Sequence, residues 1–227
     1  MTQGHAELAP APHNRSDDAY VRTKGRELLG VFYSALRSLK LYPPENAVVI
    51  CVDEKPGIQA LATTTPDKAA SPNQYPSTLR DYEYERLGTV SLLAGLDLHT
   101  GRVIEIVSDT HNSGDFIGFL NKLDTGYPPQ TRIRLLLDNH SAHISKQTQA
   151  WLQLHPQRFE FVFTPKHGSW LNIIETMFSK MARSMLRSIR VASKQELIDR
   201  IHLYFTEINA DPVIFRWTYK MDEINIV

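Results

Sequence analysis

Three carboxylates stand out by where they fall in the chain. Asp53 closes the apolar run in VICVDE, and Asp138 closes the run in LLLDN. The strand ends of an open α/β sheet are where ligands bind. A charge there is costly unless it is solvated, paired or bound to a cation. Either aspartate taken alone could equally start a loop or cap a turn. Taken together, on strands that pair in parallel, the two could be neighbours. Glu175 follows TPKHGSWLN and falls in the first two turns of a helix leaving the last strand, from which its side chain could swing back over the strand ends. A helical carboxylate after a strand carries little weight by itself. Hard divalent cations such as Mg²⁺ take oxygen ligands, and two held together can activate an attacking oxygen and stabilise a leaving oxygen at phosphorus. Asp53, Asp138 and Glu175 are therefore the candidate catalytic and metal-binding residues.

Other groups lie close to them in sequence. Asn172 stands three residues before Glu175 on neighbouring helical surface, with Trp170 in the same turn, and could orient the glutamate or a phosphate. Leu171, Ile174, Phe178, Met181 and Met185 form an apolar stripe, so the methionines are packing residues rather than cofactor ligands. Lys180, Arg183, Arg187 and Arg190 repeat at three, four and three on the opposite face. That ridge is either a solvated face or a row of phosphate contacts, and with Lys166 and Asn172 it makes up the candidate DNA-binding set. Glu54, Asn139, His140 and His143 surround the two aspartates in sequence and are expected to support them, to touch DNA, or to fill ordinary polar roles between strand and helix. An aspartate followed by histidines also suggests zinc or iron, but no HExxH or CxxC accompanies it.

The elements that must position these groups are legible as alternating patterns. AVVICVDEK (47–55) predicts a strand buried on both faces, and residues 56–86 a long loop. GTVSLLAGLDLHTGRVIEIVSD (88–109) predicts two strands joined at HTGR, with Gly101 supplying a positive φ. A helix follows with Ser113 as N-cap and Phe116, Phe119, Leu120 and Leu123 on one face. Then come a strand at 132–139, a helix in SKQTQAWLQLHP, a strand at 159–165, and a long helix beginning in SWLNIIETMFSKMARSML. A final helix has Ser193 as N-cap and Glu196 at the capping-box position. Three meander strands followed by alternating helices and strands predict an α/β fold with a mixed sheet covered by helices. Ahead of it, residues 1–18 are expected to be disordered and 19–45 to form a lead-in helix and linker, leaving 46–227 as the main domain.

Composition narrows the classes. The 227 residues carry 42% hydrophobic and 22% charged residues, which excludes wholesale disorder. No run of eighteen apolar residues and no signal-peptide pattern occur, so a soluble intracellular protein is expected. The single cysteine, Cys51, sits in an apolar run and reads as a small buried hydrophobe, with no disulfide framework. Lys plus Arg and Asp plus Glu both number 25, so any contact with a polyanion must come from local patches.

The segments PPENAVVICVDEKPGIQAL, YERLGT leading into SLLAGLDLHTG, LLLDNHSAH, FTPKHGSWLNIIE and the final helices through FRWT resemble the insertion-sequence six-thirty family of bacterial transposases, relatives of the mariner elements. The resemblance covers about residues 40–220. It implies an RNase H-like fold, a mixed five-stranded sheet of antiparallel meander plus parallel strands flanked by helices. It also implies that Asp53, Asp138 and Glu175 are the DDE triad. The 36 residues between Asp138 and Glu175 are close to the family's short spacing. Implied with these are Mg²⁺ as cofactor, Mn²⁺ as substitute, cleavage of DNA at the element's ends, and joining of the freed 3′-OH to target DNA, usually at a TA dinucleotide. A homo-oligomer acting on paired ends, in the bacterial cytoplasm at the nucleoid, completes what the resemblance implies.

One departure is visible. Such transposases carry an N-terminal helix-turn-helix region, whereas about 45 residues with one helix precede the first strand here. The chain is thus expected to lack that module, as a truncated copy or a second reading-frame product, which also accounts for its neutral charge balance. Two other readings stay open at this point: a silent remnant that binds DNA or a full-length transposase, and a general metal-dependent nuclease or phosphohydrolase.

Overall fold

The computed structural model describes residues 46–71, 77–78, 83–164, 173–187 and 189–214. The expectations for residues 1–45, and for Lys166, Trp170, Leu171 and Asn172, lie outside the described residues. The apolar runs become a five-stranded sheet: β1 (Ala47–Thr63), β2 (Tyr84–Asp97), β3 (Val103–Ser108), β4 (Arg132–Leu137) and β5 (Phe159–Phe163). Four helices join them, α1 (Ser113–Gly126), α2 (Lys146–Gln153), α3 (Ile174–Met181) and α4 (Lys194–Ala210), with a π-helical turn at Ala182–Leu186 directly after α3. The strand order is β3-β2-β1-β4-β5. β1, β2 and β3 form the antiparallel meander, and β4 and β5 add in parallel beside β1.

Side-chain alternation along the strands separates two cores. Val49 and Cys51 of β1 and Leu136 of β4 pack on one face with Ile174, Phe178 and Met181 of α3 and Leu197, Ile201 and Phe205 of α4. Ile50 and Val52 of β1 and Ile133, Leu135 and Leu137 of β4 pack on the other with Phe116, Phe119, Leu120 and Leu123 of α1. The predicted apolar face of α1 is thus the buried one. Gly95 lets that helix approach. A Cβ there would lie 2.7 Å from Ile50 Cγ2 and 2.8 Å from Phe119 Cζ, so Gly95→Ala is expected to lower stability by about 1–3 kcal/mol through overpacking, read from the urea midpoint.

Several boundaries differ from expectation for local reasons. Residues 56–63 belong to β1 rather than to a loop. Pro56 and Gly57 sit at a β-bulge, where the register shifts between Lys55 and Ile58 and Gly57 has φ +69°, and the strand resumes with Ile58 opposite Val90. β2 correspondingly starts at Tyr84. The N-cap of α1 is Asn112, not Ser113; its side chain accepts from the amides of Gly114 and Asp115, and Asp115 returns the bond. Ser193 caps α4 as expected, but Glu196 Oε2 accepts from Ala192 N, one residue ahead of the cap. Gly101 does take a positive φ, +76°, in the turn closed by its amide on Asp97 C=O at 2.9 Å. Among the described residues no helix is long and apolar enough to cross a membrane.

Candidate active site

The β1–β4 ladder runs in register from Ala47↔Arg132 to Cys51↔Leu136. Carried on by two residues, that register would set Asp53 level with Asp138, which follows directly on the end of β4 at Leu137. The alternation that turns Cys51 toward α3 turns Asp53 to that side, whereas the Asp138 carboxylate, just past the end of β4, has Oδ1 3.4 Å from His143 Nδ1. Glu54, one residue on, goes to the opposite face with Val52 and Leu137. Cys51 fixes α3 over the site: its thiol lies against the amides of Ile174 and Ile173, and burial pushes it up to about 12. The thiol is therefore the small buried group expected. Glu175, next in the helix, is exposed in the first turn of α3.

The three predicted carboxylates share one electrostatic neighbourhood. Asp53 is raised from 3.8 to about 7, first by burial and then by the charges of Glu54, Glu175 and Asp138, against one amide bond from Glu54 N at 2.8 Å. Glu175 is also raised, by burial. Asp138 is more open, with 47% of its side chain exposed, and accepts from His140 N at 2.9 Å. Such a concentration of carboxylates suits hard divalent cations, which would ease the part of the Asp53 rise that comes from neighbouring charge rather than from burial. The donor atoms that come within 4.8 Å of one another among the described residues are those of Glu54, His140 and His143.

A third aspartate at the end of an apolar run has its oxygens engaged otherwise. Asp97 ends β2 at 1% exposure, with Oδ1 accepting from His99 N and Thr100 N and Oδ2 from Tyr127 Oη. Its acceptor capacity is spent on the turn, whereas that of Asp53 and Asp138 is largely open.

On the other face, His143 is fully buried, with Nδ1 3.0 Å from the Asp138 carbonyl oxygen and Nε2 2.9 Å from Glu54 Oε1. Burial opposes charge on both partners, but their mutual attraction outweighs it, holding Glu54 below and His143 above their ordinary ranges. His140 stands edge-on to His143 at 5.5 Å and near His111 at 5.8 Å. Asn139 Nδ2 donates to Thr164 C=O at 3.1 Å, tying the end of β4 to the end of β5. The structure thus gathers Glu54, Asn139, His140 and His143 around the two aspartates. His111 was missed in the sequence because nothing in its spacing connects it to DNHSAH.

The basic series is not gathered onto one helix face. The π turn rewinds the helix after Met181, Arg187 ends it, and Arg190 lies beyond it in an ion pair with Asp67 at 2.6 Å. Lys180 and Arg183 are exposed beside α4.

A family model described as DDE superfamily endonuclease matches residues 48–198. A Shigella sonnei protein described as insertion element IS630 uncharacterized 39 kDa protein is 26% identical over 121 residues, 53% of this chain and 35% of that protein. Among solved structures, the Mos1 transposase paired-end complex with left transposon end superposes at a TM-score of 0.56 with 16% identity, over 91% of this chain and 59% of that one. The catalytic domain of Mos1 mariner transposase superposes at 0.54 with 15% identity, over 88% and 85%. The matched part is about a third of the curated relative, and about three-fifths of the Mos1 chain in the complex. At these identities the structural likeness shows the fold, which is RNase H-like.

Proposed function

Because the chain belongs to the DDE superfamily endonucleases, we propose that it is the catalytic domain of an insertion-sequence transposase that cuts and joins DNA strands with divalent cations held by Asp53, Asp138 and Glu175. One observation carries the reading: Asp53 on β1 and Asp138 just past the end of β4 follow an in-register parallel ladder, and the charges of Asp138 and of Glu175 on α3 both bear on Asp53. Mos1 complexes have been solved with Mn and with Mg, which supports Mg²⁺ as the cofactor here with Mn²⁺ as its substitute. Such cations, when bound, activate the attacking oxygen and stabilise the leaving oxygen of an in-line displacement at phosphorus. The chain's own part is positional. Asp53 supplies a carboxylate from the rigid sheet, Asp138 a more open one, and Glu175 closes from the helix. Water serves as nucleophile for cleavage and a 3′-OH for joining, so one site suffices for both.

Lys180 and Arg183, exposed on the same helical segment, are suited to backbone phosphates, as are Arg187 and, by sequence, Lys166 and Asn172. Element ends and target DNA as partners, a homo-oligomer, and a place at the bacterial nucleoid belong to this same reading. The test is conversion of supercoiled plasmid to nicked circles by the purified chain in Mn²⁺ or Mg²⁺. Asp138→Ala is expected to slow it at least about a thousandfold, since several kcal/mol of transition-state stabilisation depend on the bound cation. Equal nicking by wild type and variant would sink the assignment. DNA binding without nicking would favour a catalytically silent remnant.

A further inference from the structure

We infer that Glu54 and His143 form a positioning pair that sets the separation of Asp53 and Asp138, and through it the affinity of the carboxylate cluster for divalent cations; this rests on the cation-binding reading above. The backbone ladder between β1 and β4 ends at Cys51↔Leu136, two residues short of the aspartates. Past it β1 stays paired with β2 through Asp53↔Ala94 and Glu54↔Leu93, whereas Asp138 lies beyond the end of β4 at Leu137, outside the described β1–β4 register. The imidazole takes over the tie. Its Nδ1 faces the Asp138 carbonyl oxygen at 3.0 Å and Asp138 Oδ1 at 3.4 Å, and its Nε2 meets Glu54 Oε1 at 2.9 Å. A carbonyl oxygen only accepts, so Nδ1 carries a hydrogen. That fixes the ring and aims Nε2 at the residue adjoining Asp53.

The ring itself cannot drift. It has no exposed surface, Phe116 packs against it at 4.5 Å between centroids, and Thr148 Oγ1 donates to Ala142 C=O at 2.7 Å to hold the turn that carries it. Glu54, His140 and His143 also place donor atoms within 4.8 Å of one another, which raises the possibility of a transition-metal site. The Nε2 to Oε1 distance argues against it. Two ligands at about 2.0–2.1 Å on a tetrahedral zinc stand roughly 3.3 Å apart, so a contact of 2.9 Å accommodates a proton between them and not a metal. Glu54 is thereby occupied by the imidazole and withheld from the cation cluster on the other face.

Mn²⁺ binding to the full chain, followed by electron paramagnetic resonance without DNA, tests the pair, with thermal unfolding measured alongside. Glu54→Ala and His143→Ala are expected to weaken Mn²⁺ binding by about ten- to a hundredfold, the usual cost of losing a group that orients a ligand. Plasmid nicking by these variants should recover toward wild type as Mn²⁺ is raised, so the half-saturating metal concentration moves more than the maximal rate. Glu54→Gln should stay close to wild type in both, because its amide can either accept from or donate to Nε2. Wild-type Mn²⁺ affinity in both alanine variants, with only a lower melting temperature, would reduce the pair to a structural contact and overturn the inference. So would a Glu54→Gln as weak as Glu54→Ala, which would make Glu54 a ligand itself. Failure of wild type to bind Mn²⁺ more tightly than Asp138→Ala would instead bring down the cation reading, and the pair's role with it.

Discussion

Asp53→Asn is expected to abolish metal-dependent nicking and, in EDTA, to make the protein more stable at pH 8 than the wild type. Both effects come from one feature. Burial first, and then the charges of Glu54, Glu175 and Asp138, raise Asp53 from 3.8 to about 7. Between those values the folded chain keeps a proton that the unfolded chain has lost. Stability from this group is complete below about pH 4 and disappears as the pH rises through about 7. Asparagine keeps the acceptor for the Glu54 amide but cannot charge, so the variant loses less stability on going from pH 5 to pH 8. Between pH 5 and about 7 the shift sets an upper bound of about 3 kcal/mol, and partial solvent access to Asp53 brings the expected difference to about 1–2 kcal/mol. Urea unfolding at the two pH values measures it. Identical pH dependence in wild type and variant would remove the claim that burial and the neighbouring charges hold a proton on Asp53 in the metal-free fold. Added Mg²⁺ should reverse the order at pH 8, since only the wild type has the ligand to be stabilised by it.

The frame of this site is legible in the chain because burial on both faces forces apolar runs, and a charge at the end of such a run is conspicuous. Asp53 and Asp138 stand out for that reason, and both follow the in-register parallel ladder of β1 and β4 by two residues. Yet Asp97 ends its run in GLD in the same way and proves to be a turn residue, because nothing local tells which acceptors the next residues will occupy. Glu175 is weak in isolation because its nearness to Asp53 depends on how α3 lies on the sheet, fixed by Cys51 against Ile173 and Ile174 more than a hundred residues away. The bond between His143 and Glu54 spans 89 positions, so spacing could place each residue near an aspartate without joining the two. The extension of β1 past Pro56 is hidden for a different reason. Proline and glycine ordinarily end strands, and here they make a bulge that the pairing with β2 survives. The π turn after Met181 is likewise silent in the spacing of Lys180, Arg183, Arg187 and Arg190, which reads as one continuous helix.

Arg158→Ala should cost about 3–5 kcal/mol, the loss associated with breaking a buried charged pair, and lower the melting temperature by about 10 °C. A lone arginine between a helix and a strand carries no periodic signal, but this one is buried at 9% exposure and spends its whole guanidinium on the chain. Nε donates to Asp124 Oδ1 at 2.7 Å. One terminal nitrogen donates to the carbonyls of Pro128, Pro129 and Thr131, and the other to those of Asp124 at 2.7 Å and Tyr127 at 2.9 Å. These carbonyls belong to the last turn of α1 and to the connection that delivers β4, where two prolines leave few amides to satisfy them. Removing the guanidinium leaves them and Asp124 short of donors at once. Lysine retains the charge but not the fork, so Arg158→Lys should recover only part of the loss. Arg158 sits at the opposite end of β4 from Asp138, pinning the start of the strand through Ile133 N on its own carbonyl at 2.8 Å. Nicking per folded molecule, measured well below the melting temperature, should therefore stay near wild type. A fall of less than about 3 °C in the alanine variant would show that water replaces the guanidinium at these carbonyls. A normal melting temperature with impaired nicking would place Arg158 in the chemistry instead, which its distance along the strand from Asp138 argues against.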